Sequence, residues 1–293
     1  MRTFRHQLPG FPSGNERKAI LDWLSTLRID NGTSEELRGY LEADLDRFLY
    51  TLQLVPPDRH GRALEIGANP YFMSALMKEY RPALDFDYLN YFENAPDPVV
   101  QSVQWTSPTG EERSGPVTSF NVNLEASPLP VEDNRYDVVL FCEVLEHFTM
   151  HPLHALNEIW RVLKPDGVLI LTTPNVARYE NVVALLEGRN LYDPYSGYGP
   201  HGRHNREYTR HELHMLMRHA GFECETDFTS DVHGNIAGHI DLKLVDAAIR
   251  ATQHREHDLG QYLFSRWSRK AHSETRLPTW LYRSYPAERF FVP

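Results

Sequence analysis

With 293 residues, 41% of them apolar and 24% charged, the chain has the bulk for one large domain with appendages or for two small ones, and the composition of a globular protein. A formal net charge of −10, with no cluster of Lys and Arg along the sequence, excludes nucleic acid as the main partner, since such binding draws on clustered cations to displace counterions. No apolar run reaches membrane-span length, residues 1–12 lack a signal-like apolar core, and Cys142 and Cys224 sit in apolar segments that suit buried thiols, so a cytoplasmic protein is expected.

Residues 13–27 and 34–54 have the spacing of amphipathic helices, the second opened by Thr33 with Glu36 three residues later, as in a capping box. Its stripe of Leu37, Leu41, Leu45, Phe48, Leu49 and Leu52 predicts a helical cap, residues 1–60, on whatever follows. Residues 62–79 then read as strand, tight turn and helix. Ala63, Leu64 and Ile66 suit a buried parallel strand; Phe72, Ala75, Leu76 and Met77 share a helical face; Gly67, Asn69 and Pro70 supply the turn, with Asn69 suited to a left-handed conformation. A turn at the carboxyl end of a parallel strand is where open α/β sheets bind ligands, and Glu65 is placed to reach that crevice.

Residues 83–90 alternate as a second strand, and 96–115 read as a loop rich in Pro, Gly, Ser and Thr, within which 99–105 can pair at an edge. Strands are expected at 119–124 and, buried on both faces, at 137–142; the latter runs into Glu143-Val144-Leu145-Glu146-His147. A helix at 151–163 ends in a turn at 164–167, and 168–174 is the next buried strand. After a helix at 179–186 comes a long connection, 188–208, rich in Tyr, Gly, His and Arg; such length is uncommon without a task. A helix at 209–220, a strand at 221–231, a helix at 240–254 and a strand at 261–268 complete the pattern. The tail, 271–293, carries Trp280, Tyr282, Tyr285, Phe290 and Phe291, which fold back over the sheet or make a homodimer contact.

Glu65-Ile66-Gly67 resembles the first motif of class I S-adenosylmethionine (SAM) dependent methyltransferases, E/D-x-G-x-G-x-G, with Asn69 and Tyr71 where the second and third glycines stand. Residues 136–175 closely resemble the small-molecule group of that family: apolar strand, E-x-x-E-H, helix, R-V-L-K-P-x-G, then L-x-L-T-T-P-N. The resemblance covers about residues 63–268. It implies an α/β, Rossmann-like, seven-stranded and mostly parallel sheet whose last strand is reversed, with helices on both faces and SAM as cofactor. The SAM-binding domain is then 61–270, with 188–208 as an acceptor-loop insertion, and the N-terminal helices become a lid over the crevice.

By the same resemblance Glu65, Gly67, Asn69, Cys142 and Glu143 line the cofactor site, Asn90 takes the place of the acidic residue that holds the ribose, with Asp87 and Glu93 as nearby substitutes, and one of Asn123, Leu124 and Glu125 meets the adenine edge. A methyl on a sulfonium needs mainly to be aligned with its acceptor, whose proton must leave to a base or be loosened by a metal. His147 is the candidate base, with Glu146 orienting it or helping to hold a divalent ion such as Mg; Asp231 and Asp241 are the other oxygen ligands considered, because hard cations prefer oxygen. His211 and His214 lie on one helical face and read as solvated rather than as a zinc site.

Tyr192, Tyr195, Tyr198, Arg203, His204, Arg206 and Tyr208 mix flat apolar faces with polar tips and suit stacking on sugar rings, which favours a sugar or oligosaccharide hydroxyl as acceptor. The chain is similar to bacterial glycan O-methyltransferases such as those acting on methylmannose polysaccharides. N- or O-methylation of a lipid, quinone or other small metabolite would use the same cofactor motifs, and a non-catalytic relative would retain the fold. A dinucleotide oxidoreductase needs a glycine pattern that residues 67–71 do not provide.

Overall fold

The computed structural model describes residues 3–30, 32–235, 242–251, 258–270 and 273–292. Its frame is one sheet whose strands, numbered along the chain, are β1 (Arg28–Ile29), β2 (Gly61–Ile66), β3 (Leu84–Asn90), β4 (Val99–Thr106), β5 (Glu112–Asn121), β6 (Tyr136–Cys142), β7 (Leu163–Pro174), β8 (Phe222–Ser230) and β9 (Tyr262–Arg269). The order across the sheet is β1-β4-β5-β3-β2-β6-β7-β9-β8. From β5 to β7 every pairing is parallel. β9 runs antiparallel between β7 and β8. This stretch from β5 to β8 is the expected seven-stranded core with its reversed last strand.

Two antiparallel strands extend that core at the β5 edge. Within residues 96–115, expected to be a loop in which 99–105 can pair at an edge, that pairing is made, and the remainder of the stretch extends it into a hairpin whose register runs from Val99↔Ser119 to Thr106↔Glu112. The signal is weak because it is one-sided. In β4, Gln101, Val103 and Trp105 are buried while Val100, Ser102 and Gln104 are exposed, and most of β5 faces water, so Ser, Gly and charged residues serve there. β5 accordingly starts earlier than expected and stops at Asn121 rather than 124. The expected turn at 164–167 lies inside β7, where pairing with β6 jumps from Tyr136↔Leu163 to Val138↔Val168.

Seven helices cover this sheet among the described residues: α1 (Gly14–Leu24), α2 (Ser34–Leu54), α3 (Phe72–Tyr80), α4 (Pro152–Val162), α5 (Tyr179–Leu186), α6 (Arg210–His219) and α7 (Leu242–Ala251). The rest of the helix expected at 240–254 lies outside the described residues. Alternation along the strands separates two cores. Ala63, Val138 and Ile170 join Leu41, Leu45 and Leu49 of α2 and Leu76 of α3, whereas Leu64, Val139 and Leu169 join Leu156 of α4 and Leu216 of α6.

The α2 capping box is formed. Thr33 Oγ1 accepts from the Glu36 N–H at 3.2 Å, and the Glu36 carboxylate accepts from the Thr33 N–H at 3.2 Å. The tail folds back: Trp280, Leu281, Tyr285 and Phe290 pack on the second core, and Tyr282 Oη accepts the Leu153 N–H at 3.2 Å. No described helix is long and apolar enough to cross a membrane.

Candidate active site

Where β2 ends, the backbone reverses within a few residues, and two positions carry the left-handed geometry. Gly67 has φ 75°, and a Cβ there would lie 2.6 Å from Val144 Cγ2, so no side chain fits. The second is Tyr71, at φ 70°, not Asn69 as expected. An aromatic residue in this region needs holding in place. Tyr71 is buried, donates its hydroxyl to Gln101 Oε1 at 2.8 Å and accepts from Asn90 Nδ2 at 3.1 Å. Asn90 Oδ1 accepts the Asn69 N–H at 2.9 Å, and Gln101 Nε2 reaches Asn69 Oδ1 at 3.2 Å. This amide network sets the turn from which α3 starts, and it is where Asn90 spends much of its hydrogen-bonding capacity.

Above the carboxyl ends of β2, β3 and β6 lies a cleft made of two adjoining cavities. One, of about 350 Å³, is walled by Tyr40, Asp44, Arg47 and Phe48 of α2, by Glu65, Gly67 and Asn69, and by Cys142, Glu143, Glu146 and His147. The other, of about 260 Å³, is lined by Asn90, Tyr91, Asn123, Leu124 and His201. Both share Ile66, Gly67, Asn69, Glu143 and His147. The sequence-predicted residues Glu65, Gly67, Asn69, Asn90, Asn123, Leu124, Cys142 and Glu143 therefore meet here. Glu125 does not. Its carboxylate accepts from the Met150 and His151 N–H groups at 2.5 and 2.9 Å and from Thr149 Oγ1 at 3.0 Å, so it braces the entry to α4.

Charge in the cleft is unusual. Burial pushes the Glu65 carboxyl up to about 8, only partly offset by the hydroxyl of Ser74 at 2.5 Å. Glu146 is likewise pushed up to about 8, by burial and then by the neighbouring Glu143; Thr173 Oγ1 donates to its Oε2 at 3.0 Å, while Oε1 is buried with no partner. Glu143, at φ 54° on the end of β6, accepts from Thr172 Oγ1 at 2.7 Å and is raised by burial against the pull of Arg47. Burial pushes the Cys142 thiol up to about 12.

His147 stands 3.9 Å, Nε2 to Oε1, from Glu146. Its Nδ1–H donates to the Arg203 carbonyl at 3.0 Å, which fixes the tautomer and leaves Nε2 as the free lone pair. Burial, and then the neighbouring His204, depress its basicity. The rings of the two histidines are 5.1 Å apart and nearly perpendicular. For His204 burial opposes the charge, but Glu207 at 3.0 Å from Nδ1, with Glu146 and Asp193 beyond, outweighs it and raises the pKa. One imidazole is thus biased to be neutral and its neighbour to be charged.

His204 also lines a wider groove of about 680 Å³ outside the cleft, together with Phe148, Met150, Leu185, Tyr192, Arg206, Tyr208 and Tyr282. Of the loop residues singled out in the sequence, Tyr192 is exposed on this groove and Tyr208 is buried in its wall. Arg206 is tied to Glu212 at 2.8 Å. Tyr195, Tyr198 and Arg203 stand outside both the groove and the cleft; Tyr195 and Tyr198 are almost fully exposed, with the Arg203 guanidinium 4.7 Å over the Tyr195 ring.

The oxygen-ligand set considered for a hard cation is not assembled. Asp231 is spent on the Phe4 N–H at 2.6 Å, Asn235 Nδ2 at 2.7 Å and the Gln261 N–H at 3.2 Å, and Asp241 lies outside the described residues. Glu146 instead sits with His147 and His204, their nearest donor atoms within 4.8 Å of one another, a nitrogen-rich set unlike that preferred by Mg. His214 is not on a solvated face as expected: its Nε2 lies 2.9 Å from Asp227, which Arg210 also binds.

A family model described as "Methyltransferase domain" matches residues 34–227, two thirds of the chain. The chain belongs to this methyltransferase family. A probable SAM-dependent methyltransferase of Mycolicibacterium smegmatis is 32% identical over 134 residues, 45% of each protein, and an uncharacterized protein of Methanocaldococcus jannaschii is 51% identical over 47 residues, 16% of this chain and 20% of that one. The chain thus spans less than half the length of the curated relatives it matches. Among solved structures, a SAM-dependent methyltransferase of Thermotoga maritima described as a possible histamine N-methyltransferase has 18% identity and a TM-score of 0.48, covering 80% of this chain and 95% of its own. The putative methyltransferase of Haloferax volcanii solved with the activator Trm112 has 15% identity and a TM-score of 0.48 over the same shares.

The methyltransferase family implies SAM as cofactor, and the cleft fits it. An amide-lined cavity and a charged one join across the left-handed Gly67, which matches a nucleoside carrying an amino-acid arm. Residues missed in the sequence are those of α2. Tyr40, Asp44 and Arg47 enter the methyltransferase cleft from a helix expected only to cap or cover it. The sequence carries no signal for them, because the burial of Arg47 on α2 shows only once the helix is packed.

Proposed function

We propose that this methyltransferase domain methylates an acceptor hydroxyl, most simply that of a sugar or oligosaccharide. Bound SAM would supply an electrophilic methyl group aligned for direct transfer to oxygen. Glu65, Gly67, Asn69, Asn90, Asn123, Leu124, Cys142 and Glu143 would hold it in the joined cavities, while residues 1–60 cap the cleft and 188–208 receive the acceptor.

The observation that carries this reading is the Glu146–His147–His204 cluster, set where the cleft meets the outer groove. His147, neutral and with Nε2 free, takes the hydroxyl proton. The Arg203 carbonyl keeps the ring oriented, and the unpartnered Oε1 of Glu146 waits 3.9 Å from the nitrogen that becomes charged. A buried base of lowered pKa stays unprotonated at neutral pH, as this role requires. The sugar is favoured by exposed Tyr192 beside Asn190, Asp193 and Asn205, a flat ring amid amide and carboxylate groups.

A second reading, an acceptor with an aliphatic or ring portion, draws on Phe148, Met150, Leu185 and Leu281 along the same groove. A divalent cation bound through Glu146 is the alternative means of loosening the hydroxyl proton. Incubating the protein with methyl-labelled SAM and separate glycan, lipid and small-metabolite fractions, with and without EDTA, tests all three. Label in the glycan fraction that survives EDTA is the expected result; label confined to lipids, or abolished by EDTA, selects the corresponding alternative.

A further inference from the structure

The turn that carries Glu146 and His147, Leu145–His147, is a single helical turn following the left-handed Glu143. Its hold on His147 is one bond, from the His147 N–H to the Val144 carbonyl at 3.1 Å, and so short a turn does not fix where a side chain points. The loop at 188–208 supplies the rest. The N–H groups of Asn205 and Arg206 both donate to the Glu146 carbonyl, at 2.7 and 3.2 Å. Asn205 Nδ2 donates to the His147 carbonyl at 2.9 Å and to the Pro200 carbonyl at 2.7 Å, which uses both of its hydrogens. Its Oδ1 accepts from Arg203 Nε at 3.2 Å, and the Arg203 carbonyl accepts from His147 Nδ1 at 3.0 Å. A ring of hydrogen bonds closes from the His147 backbone through Asn205 and Arg203 to the His147 imidazole.

We propose that Asn205 is a positioning residue, which docks the loop on the Glu146–His147 turn and thereby keeps His147 in the Nδ1–H tautomer with Nε2 free. The use made of that nitrogen rests on the reading of His147 as the base for an acceptor hydroxyl. A neutral imidazole in water carries its proton mostly on Nε2, the wrong atom for this task. The Arg203 carbonyl reverses the preference, and Asn205 holds that carbonyl in place. The same docking ties the base to the acceptor side. Asp193, next to Tyr192 in the outer groove, accepts the His204 N–H at 3.0 Å, so the stretch that lines the groove is bonded to the loop one residue from Asn205. The loop then sets, as one unit, where the acceptor lies and which nitrogen takes its proton.

The deciding measurement needs no acceptor. Nitrogen NMR of the full chain labelled in its histidine rings, with His147 assigned by the signals lost in His147→Gln, reports which ring nitrogen is protonated. At mildly alkaline pH the wild type should show Nδ1–H alone. Asn205→Asp keeps the shape of the side chain but turns an oxygen toward two carbonyls, and it and Asn205→Ala should both make Nε2–H the major form. Transfer from methyl-labelled SAM to the glycan fraction should fall about 10- to 100-fold in both variants, the cost of a misaligned group, with S-adenosylhomocysteine affinity unchanged. In a His147→Ala background Asn205→Ala should add no further loss. A wild type protonated on Nε2, an Asn205→Asp tautomer like that of the wild type, or an equal loss of turnover in the His147→Ala background overturns the assignment. The wild-type spectrum decides even if a variant does not fold. A glycan fraction left unlabelled by the wild type, alongside the expected tautomer change, would overturn the acceptor reading and uphold the role of Asn205.

Discussion

The same central strands carry acidic residues toward both ends of the sheet, and the two sets live in opposite conditions. Toward the amino ends, Asp87 of β3 accepts from Arg62 at 2.9 Å, Tyr136 at 2.9 Å and Arg135 at 3.1 Å, and Asp137 of β6 accepts from Lys164 at 2.8 Å and the Arg62 N–H at 2.8 Å. Burial alone would raise both, yet these partners hold them below the usual carboxylate range. At the carboxyl ends Glu65, Glu143 and Glu146 are raised, and the buried cation facing them is Arg47 of α2. Ion pairs at one end brace the sheet; at the other, charge is left unbalanced where a ligand has to be received.

The sharpest way to break that contrast is to remove the proposed base. His147→Ala should lower turnover by a factor on the order of 10²–10⁴, the usual worth of a positioned base, while S-adenosylhomocysteine affinity hardly changes. Steady-state methyl transfer and calorimetry on one preparation check both halves, and full activity in the variant ends the base role. The converse belongs to the far end. Asp87→Ala takes from two arginines and a phenol the acceptor they share and should cost about 2–3 kcal/mol in urea unfolding, with ligand affinity intact. A variant as stable as the wild type would show that those pairs contribute nothing.

That division explains what was legible in the sequence. The strand-turn-helix at 62–79 and the run from Tyr136 to Asn175 announce themselves because buried parallel strands are continuously apolar and their ends carry Glu65, Gly67, Glu143 and His147 at fixed spacing. The hairpin at 99–121 is only half legible: 99–105 reads as able to pair at an edge, but its partner from Glu112 hides because its outer face needs no apolar residues. Arg47 hid for another reason: its meaning depends on Glu143 and Tyr262, distant in sequence, and no local pattern predicts that a charged position on α2 turns inward. Glu125 misled in the opposite sense, since an acid near the expected adenine edge is consumed by backbone N–H groups of residues 150 and 151.

The raised carboxyls make a pH prediction of fixed sign. Below about 4.3 Glu65 is protonated in both folded and unfolded chains. Between there and about 8 the unfolded chain ionises while the folded one keeps its proton, so this group takes stability away as pH rises, and above about 8 its effect levels off. Glu65→Gln should flatten that part of the profile and gain about 1–2 kcal/mol over the wild type near pH 8, less than the full linkage because a buried amide in place of the carboxyl is itself costly. Urea midpoints from pH 5 to 9 measure it; an unchanged slope would mean Glu65 is ionised in the fold.

The smallest effect tests how the loop at 188–208, proposed to receive the acceptor, divides. Tyr192 lines the groove that His204 joins to the cleft, whereas Tyr195, equally a tyrosine of the same loop and even more exposed, faces neither space. If the groove holds the acceptor, stacking on Tyr192 contributes about 1 kcal/mol, so Tyr192→Ala should raise the acceptor KM about fivefold at unchanged kcat and unchanged stability. Tyr195→Ala should leave KM within error, because its ring is almost fully exposed and carries the Arg203 guanidinium. Equal responses from the two variants would mean that the loop acts as an undivided surface and that the groove has no special claim on the acceptor. A response from Tyr195 alone would move the acceptor to the loop's outer side, away from the His147 proton path.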